Sequence, residues 1–193
     1  MFRIGILALQ GDFALHAKML DQLGVTWTLV KTAAELATVH GLIIPGGEST
    51  TLLKLVGAGN LRPALEQFHA QDRPFFGTCA GLILLAQEAV RPRQESLGFI
   101  DLTAERNAYG RQIDSFISTG KPLVPELGTE PLEMVFIRAP KIARLRPSVT
   151  PLAMWQDEVV LARQGNVLVA SFHPELTTDF RVHRYFLSML KAA

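Results

Sequence analysis

The sequence holds one cysteine among its 193 residues, so no disulfide can form within the chain. It has no excess of either charge: 19 Lys and Arg stand against 18 Asp and Glu, for a formal net charge of +1. That balance argues against nucleic-acid binding through a basic face. No apolar run approaches the roughly 20 residues that cross a bilayer. The opening MFRIGILALQGD passes from apolar residues into Gln10, Gly11 and Asp12 with no small-residue cleavage site, and reads as a first strand rather than a signal peptide. The expectation is a cytoplasmic protein without a membrane segment. No internal repeat and no low-complexity tract interrupts the chain. There is also no G-x-G-x-x-G phosphate-binding fingerprint and no lysine in a recognisable Schiff-base setting, so no cofactor is expected. What the chain does have is apolar side chains, 48% of the total, enough to core one domain spanning residues 1–193. A domain near this size buries roughly 70% of the surface its unfolded chain exposes.

The first half alternates short apolar runs with helical patterns. RIGILAL (3–9), VTWTLVK (25–31), GLIIPGG (41–47) and RPFFG (73–77) read as strands covered on both faces. Between them, Phe13, Ala17, Leu20 and Leu23 recur at helical spacing, with Asp12 as N-cap and Gly24 as stop. A short helical stretch at 33–38, LRPALEQFHAQD (61–72) and GLILLAQEA (81–89) supply further helices. The succession predicts an α/β fold: a mostly parallel central sheet flanked by helices on both faces. After residue 90 the texture becomes β-rich, with short strands expected in LGFIDLTAERN, RQIDSFIS, EMVFIRAP, PLAMWQ, VVLARQG and NVLVASFHPE. STGKPLVPELGTEPLE (118–133), with Pro122, Pro125 and Pro131, reads as a surface excursion. Residues 177–191 close the chain as a helix whose stripe is Phe180, His183, Phe186, Leu187 and Leu190.

The one cysteine lies in Gly77-Thr78-Cys79-Ala80-Gly81, between an expected strand and an expected helix. This is the pattern of a nucleophile elbow, where a strained central residue needs small neighbours. A helix N-terminus favours the thiolate form and aims backbone N–H groups at a developing oxyanion. A cysteine nucleophile also needs a base. Of the five histidines, His16 and His183 fall on helix faces, His69 near a helix end and His40 ahead of a strand, all with structural explanations. His173 instead ends an apolar run and precedes Pro174 and Glu175. Residues i and i+2 of an extended segment share a side, so Glu175 can hold the His173 ring in the tautomer that takes a proton from Cys79.

With these residues in place, the chain resembles the class I glutamine amidotransferases and, within them, the glutaminase subunits of pyridoxal 5'-phosphate synthases. The resemblance rests on LALQGD (7–12), PGGESTT (45–51), GTCAGLI (77–83), ERNAYGRQIDSF (105–116), FIRAP (136–140) and SFHPEL (171–176). It implies a flavodoxin-like three-layer sandwich with extra strands in the C-terminal half. It makes Cys79 the nucleophile, His173 the base and Glu175 its orienting partner in the hydrolysis of L-glutamine to L-glutamate and ammonia. It assigns the glutamine pocket to Gly47, Glu48, Ser49, Arg106, Ile137 and Arg138, and the oxyanion hole to the N–H groups of Gly47 and Ala80; Gln10, at the carboxyl end of the first strand, is expected near the pocket, coupling docking to activity. No metal is implied. The implied partner is the lyase subunit of the synthase, a ring-shaped oligomer decorated by glutaminase subunits, which uses the ammonia to build pyridoxal 5'-phosphate (vitamin B6). Two other readings stay open on the residues alone: a stand-alone cysteine hydrolase or protease, and a non-catalytic α/β binding module.

Overall fold

Short apolar runs in the first half become the interior strands of a large sheet. In the computed structural model, which describes residues 2–106, 108 and 115–190, β1 (Arg3–Leu7), α1 (Phe13–Gln22), β2 (Thr26–Val30), α2 (Ala33–Ala37) and β3 (Gly41–Ile44) follow one another as expected. Then come α3 (Ser49–Ala58), α4 (Arg62–Ala70), β4 (Phe75–Thr78), α5 (Ala80–Leu85), β5 (Ala86–Val90) and β6 (Ile100–Glu105). The remainder is β7 (Ser115–Pro122), β8 (Leu132–Ile137), β9 (Lys141–Leu145), β10 (Thr150–Trp155), β11 (Glu158–Gln164), β12 (Val167–Ala170) and α6 (Arg181–Ser188).

The main sheet has nine strands in the order β2-β1-β3-β4-β12-β11-β10-β7-β8. Its first five strands pair in parallel, and β11, β10, β7 and β8 continue it antiparallel. A second sheet of three strands, β5-β6-β9, lies apart from it in pairing. Successive residues of a strand face opposite ways, and here each face has its own core. Leu42, Ile44, Phe75, Val167 and Val169 join side chains of α2, α3, α4 and α5 in one cluster. Ile43, Phe76, Leu168 and Ala170 join α1 and α6 in the other, through Ala17, Leu20, Val182 and Phe186. This is the expected sandwich, and burial explains why its strands read as unbroken apolar runs rather than alternating ones. Each fully buried phenylalanine, such as Phe75 or Phe76, contributes about 1.5–3 kcal/mol through the water it leaves.

The elements depart from the sequence expectations in five places. The helix expected through Ala89 ends at Leu85, and Ala86–Val90 forms β5 instead, paired in parallel with β6. Tertiary pairing outweighs the helix propensity of Leu, Ala, Gln and Glu there. The 118–133 stretch is no surface excursion: residues 115–120 pair with β8, Lys121 and Pro122 pair with β10, and Leu127 and Leu132 are buried in the second core. Helix α3 was not expected, because PGGEST reads as a turn; Glu48 caps it, and Leu52 and Val56 give it a short buried stripe. Strand β9, also unexpected, holds one buried residue, Ile142. The first part of the strand expected in RQIDSFIS lies outside the described residues. Helix α6 starts later than residue 177 because Thr177 and Asp179 cap the preceding turn, accepting from the backbone N–H groups of Asp179 and Arg181. No helix among the described residues is long and apolar enough to cross a membrane.

Candidate active site

Parallel neighbours end at the same sheet edge, which is where open α/β sheets gather their functional loops. β1, β3, β4 and β12 all run in one direction, so the segments after them converge. β1 delivers Gln10 and Asp12, β3 delivers Gly46 and Gly47, β4 delivers Cys79, and β12 delivers His173. Thr78 is in register with Ala170, and the Cys79 N–H donates to the Ala170 carbonyl at 2.9 Å, so nucleophile and histidine leave adjacent strands side by side. The His173 N–H donates to Val135 O at 2.8 Å, which draws the end of β8 over the same place.

Cys79 adopts φ +49° and ψ −101°, a left-handed conformation costly for a residue with a side chain. It forms the corner between β4 and α5, and the first residues of α5 have backbone N–H groups without helical acceptors. The glycine frame is steric. A methyl group on Gly81 would strike the Ile44 carbonyl, and one on Gly77 would lie 2.7 Å from the backbone of Gly81. Small residues therefore let helix and strand close tightly enough to present the sulfur. The Cys79 sulfur faces the Ile137 carbonyl at 3.9 Å.

His173 Nδ1 and Glu175 Oε1 are 2.7 Å apart and both residues are buried, at 2% and 4% exposure. Because that hydrogen bond uses Nδ1, Nε2 is the nitrogen left to exchange protons, and it has no hydrogen-bond partner among the described residues. Burial works against a charge on His173, yet the Cys79 sulfur and the Glu175 carboxylate outweigh it and push its pKa up to about 10. Burial also opposes ionisation of Glu175, but the imidazoles of His16 and His173 prevail and hold it below the ordinary carboxylate value. Asp12 Oδ2 lies 3.9 Å from the same Nδ1. Asp12, His173 and Glu175 place donor atoms within 4.8 Å of one another, the one grouping among the described residues able to hold a metal ion; its Nδ1 and Oε1 already serve each other.

A cavity of about 270 Å³ opens in front of this pair, lined by Asp12, Gly47, Glu48, Ser49, Cys79, Ile83, Arg106, Ile137, Arg138 and His173. All six residues expected to contact glutamine are thus brought together with Cys79 and His173. Their side chains differ in freedom. The Glu48 carboxylate caps α3, accepting from Thr50 N at 3.0 Å and Thr51 N at 2.6 Å; burial opposes its charge, but its hydrogen bonds to Thr50 and Thr51 together outweigh it and take its pKa to about 2. Arg106 is anchored by Thr50 Oγ1 at 3.0 Å and the Pro92 carbonyl at 3.3 Å. Arg138 sits at a positive φ of 42° just past β8. Gln10 lies beneath Gly47, at φ +152°, its amide filling the space where a Gly47 side chain would be. Its Oε1 accepts from Glu48 N at 3.1 Å, while its Nε2 is buried without a hydrogen-bond partner among the described residues. Ala80 opens α5 directly after the nucleophile. Of the ERNAYGRQIDSF motif, Asn107 and residues 109–114 lie outside the described residues.

Sequence reasoning missed three residues. Asp12 is not a working N-cap, since its side chain makes no capping bond, and its carboxylate faces His173 instead. His16 and His183 were read as unremarkable members of helix faces, yet both are fully buried behind Glu175. Helical spacing revealed that they face inward; nothing local revealed what they meet.

A doubly covered sheet with a cysteine elbow and a His–Glu pair at one edge defines a class I glutamine amidotransferase fold, and comparison with known proteins agrees. The profile of the SNO glutamine amidotransferase family matches residues 6–192, and the chain belongs to that family. It is 50% identical to the pyridoxal 5'-phosphate synthase subunit PdxT of Thermosipho africanus, covering 98% of this chain and 99% of that one. It is 48% identical to PdxT of Carboxydothermus hydrogenoformans, covering 96% of each. A crystal structure of a glutamine amidotransferase superposes with a TM-score of 0.90 at 44% identity, over 97% of this chain and 98% of the other. PurLQS from Thermotoga maritima, at 14% identity and a TM-score of 0.76, shares the fold.

Proposed function

We propose that residues 1–193 act as one glutaminase domain, hydrolysing L-glutamine to L-glutamate and ammonia for a pyridoxal 5'-phosphate synthase. One observation carries this reading. A cysteine held at φ +49° shares a cavity with a histidine whose Nδ1 is fixed by Glu175 at 2.7 Å.

In this mechanism the Cys79 thiolate attacks the carboxamide carbon, and the oxyanion is met by the N–H groups of Gly47 and Ala80. His173, charged through its Nε2 proton, gives that proton to the departing nitrogen as the C–N bond breaks, and ammonia leaves. His173 then takes a proton from water, whose oxygen attacks the thioester carbon; the C–S bond breaks, glutamate departs and the thiolate returns. Arg106 is placed to pair with the α-carboxylate of glutamine, since a guanidinium offers two parallel donors and this one is already anchored at the cavity wall. Ile137 and Arg138 complete the lining of the same cavity.

Ammonia is mostly protonated at neutral pH and is then no nucleophile, so the product serves only an enzyme docked beside the site. The relatives' names, each a subunit of a pyridoxal 5'-phosphate synthase, support a synthase partner, and in this reading the partner is a ring of lyase subunits that these chains decorate in the cytoplasm. Gln10, holding Glu48 N and with its Nε2 unpaired among the described residues, couples docking to the Gly47 backbone. The test is ammonia release from glutamine by the purified chain with and without the synthase subunit. Release that rises with the partner and disappears in Cys79→Ala supports the proposal. Partner-independent peptide cleavage, or no thiol-dependent turnover in either condition, overturns it.

A further inference from the structure

Behind Glu175, away from the cavity, two more histidines form a buried row. His16 of α1 and His183 of α6 are both fully buried, and His16 Nδ1 lies 3.1 Å from His183 Nε2. The other ring nitrogen, His16 Nε2, forks between Thr78 Oγ1 at 3.3 Å and Glu175 Oε2 at 3.5 Å. Glu175 Oε2 and His183 Nδ1 have no hydrogen-bond partner among the described residues, and the polar group facing Oε2 is His16 Nε2 at its 3.5 Å ion-pair distance. Thr78 directly precedes the nucleophile.

These contacts select one arrangement of protons. A neutral imidazole has one donor and one acceptor nitrogen. If His16 carried its proton on Nδ1, its Nε2 lone pair would face a carboxylate oxygen, and His183 would have to accept at Nε2, stranding a buried N–H at Nδ1. With both protons on Nε2, His183 donates to His16, His16 donates toward Glu175 and Thr78, and the only orphan is an acceptor lone pair, the cheaper group to leave unpaired. Both rings are neutral in this arrangement. Burial lowers the pKa of His16, and burial followed by the neighbouring His16 takes that of His183 to about 3. The charged or titratable groups facing the pair are Glu175, His173 and Asp12.

We infer that His16, oriented by His183, is a positioning residue for the hydrolytic site: its Nε2–H holds the second oxygen of Glu175, so that the first is presented squarely to His173. The inference rests on the proposed roles of Cys79, His173 and Glu175. It adds a structural line running from α6 through α1 to the triad, whose far end lies on the face of the sheet opposite α3 and α4.

Two measurements test it separately from the glutaminase reading. Nitrogen-15 spectra of histidine-labelled protein are expected to show His16 and His183 as neutral Nε2–H tautomers between pH 5 and 8; an Nδ1–H tautomer at His16 overturns the inference whether or not the protein hydrolyses glutamine. In the assembled complex with the synthase subunit, His16→Leu is expected to lower kcat about 10- to 100-fold with KM within about twofold, as when groups that orient a working imidazole are removed. The acid limb of its kcat profile should move to higher pH, because Glu175 loses a donor. His16→Gln keeps an N–H and should recover most of the loss. If His16→Leu cannot be folded, His183→Leu against His183→Gln asks the same question one step back. Equal kcat and pH profile in the leucine and glutamine variants and the parent contradict the inference while leaving the glutaminase reading intact, whereas an inactive parent complex removes that reading instead.

Discussion

The two sides of Glu175 carry histidines in nearly equal burial and opposite electrostatic states. In front, His173 is held charged, with a pKa of about 10; behind, His183 is held neutral, with a pKa of about 3. Burial alone drives both downward. The front ring escapes because it sits between a sulfur and a carboxylate, while the rear ring has only another imidazole beside it. A buried carboxylate thus divides the interior into a reacting side whose imidazole is charged, with a proton to give, and a supporting side whose imidazoles are neutral.

Removing the shared charge should break that contrast most severely. Glu175→Gln preserves shape but no longer supports an imidazolium or selects its tautomer, and kcat for glutamine hydrolysis should fall about 10⁴-fold, as when the acid of a serine triad is amidated. Steady-state ammonia release in the complex measures this. Gly46→Ala disturbs the front side alone: its methyl group would run into Cε1 of His173. A displacement near 1 Å costs about 100-fold in kcat, with the tautomers of His16 and His183 unchanged in nitrogen-15 spectra. Arg106→Ala should act on binding, raising KM about 10- to 100-fold while kcat changes little, because a charge-assisted pairing contributes about 1.5–3 kcal/mol.

Stability against pH separates the two sides without catalysis. The unfolded chain titrates its histidines near 6.5. Above that value folded His173 keeps a proton the unfolded chain has lost, so its contribution, complete below pH 6.5, disappears as pH rises through about 10. Below 6.5 the unfolded chain binds a proton that folded His183 refuses until about pH 3, so stability also falls on that side. Urea midpoints should peak near pH 6.5; His173→Gln should flatten the alkaline limb and His183→Gln the acid one, each limb reaching a slope of about 1.4 kcal/mol per pH unit. The smallest effect belongs to a site remote from both sides. Arg62 and Glu66 form an exposed pair one helical turn apart, and Arg62→Ala should change unfolding free energy by about 0.5 kcal/mol or less.

What was legible in the sequence was local. Gly77 to Gly81 announce a tight corner because the steric demand falls on neighbouring residues, and His173 with Glu175 shows its pairing within three positions. The parallel half was legible because burial on both faces leaves unbroken apolar runs. The supporting side was not, since His16 meets His183 across 167 positions and each looks, in its own helix, like any inward residue. Residues 86–90 and 118–133 misled for a related reason: Gln87 and Glu88 favour helix and Pro122 favours a loop, but pairing with β6 and with β10 decides their form. Helix α3 was hidden by its own cap, because PGGEST carries turn residues that serve both to bend the backbone under the cavity and to start a helix.

The most direct measurement is covalent labelling by an electrophilic glutamine analogue, followed by mass spectrometry of the chain assembled with its synthase partner. The account predicts a single adduct on Cys79, formed far more slowly in Glu175→Gln. An unlabelled Cys79, or labelling equally fast in the two proteins, would contradict it.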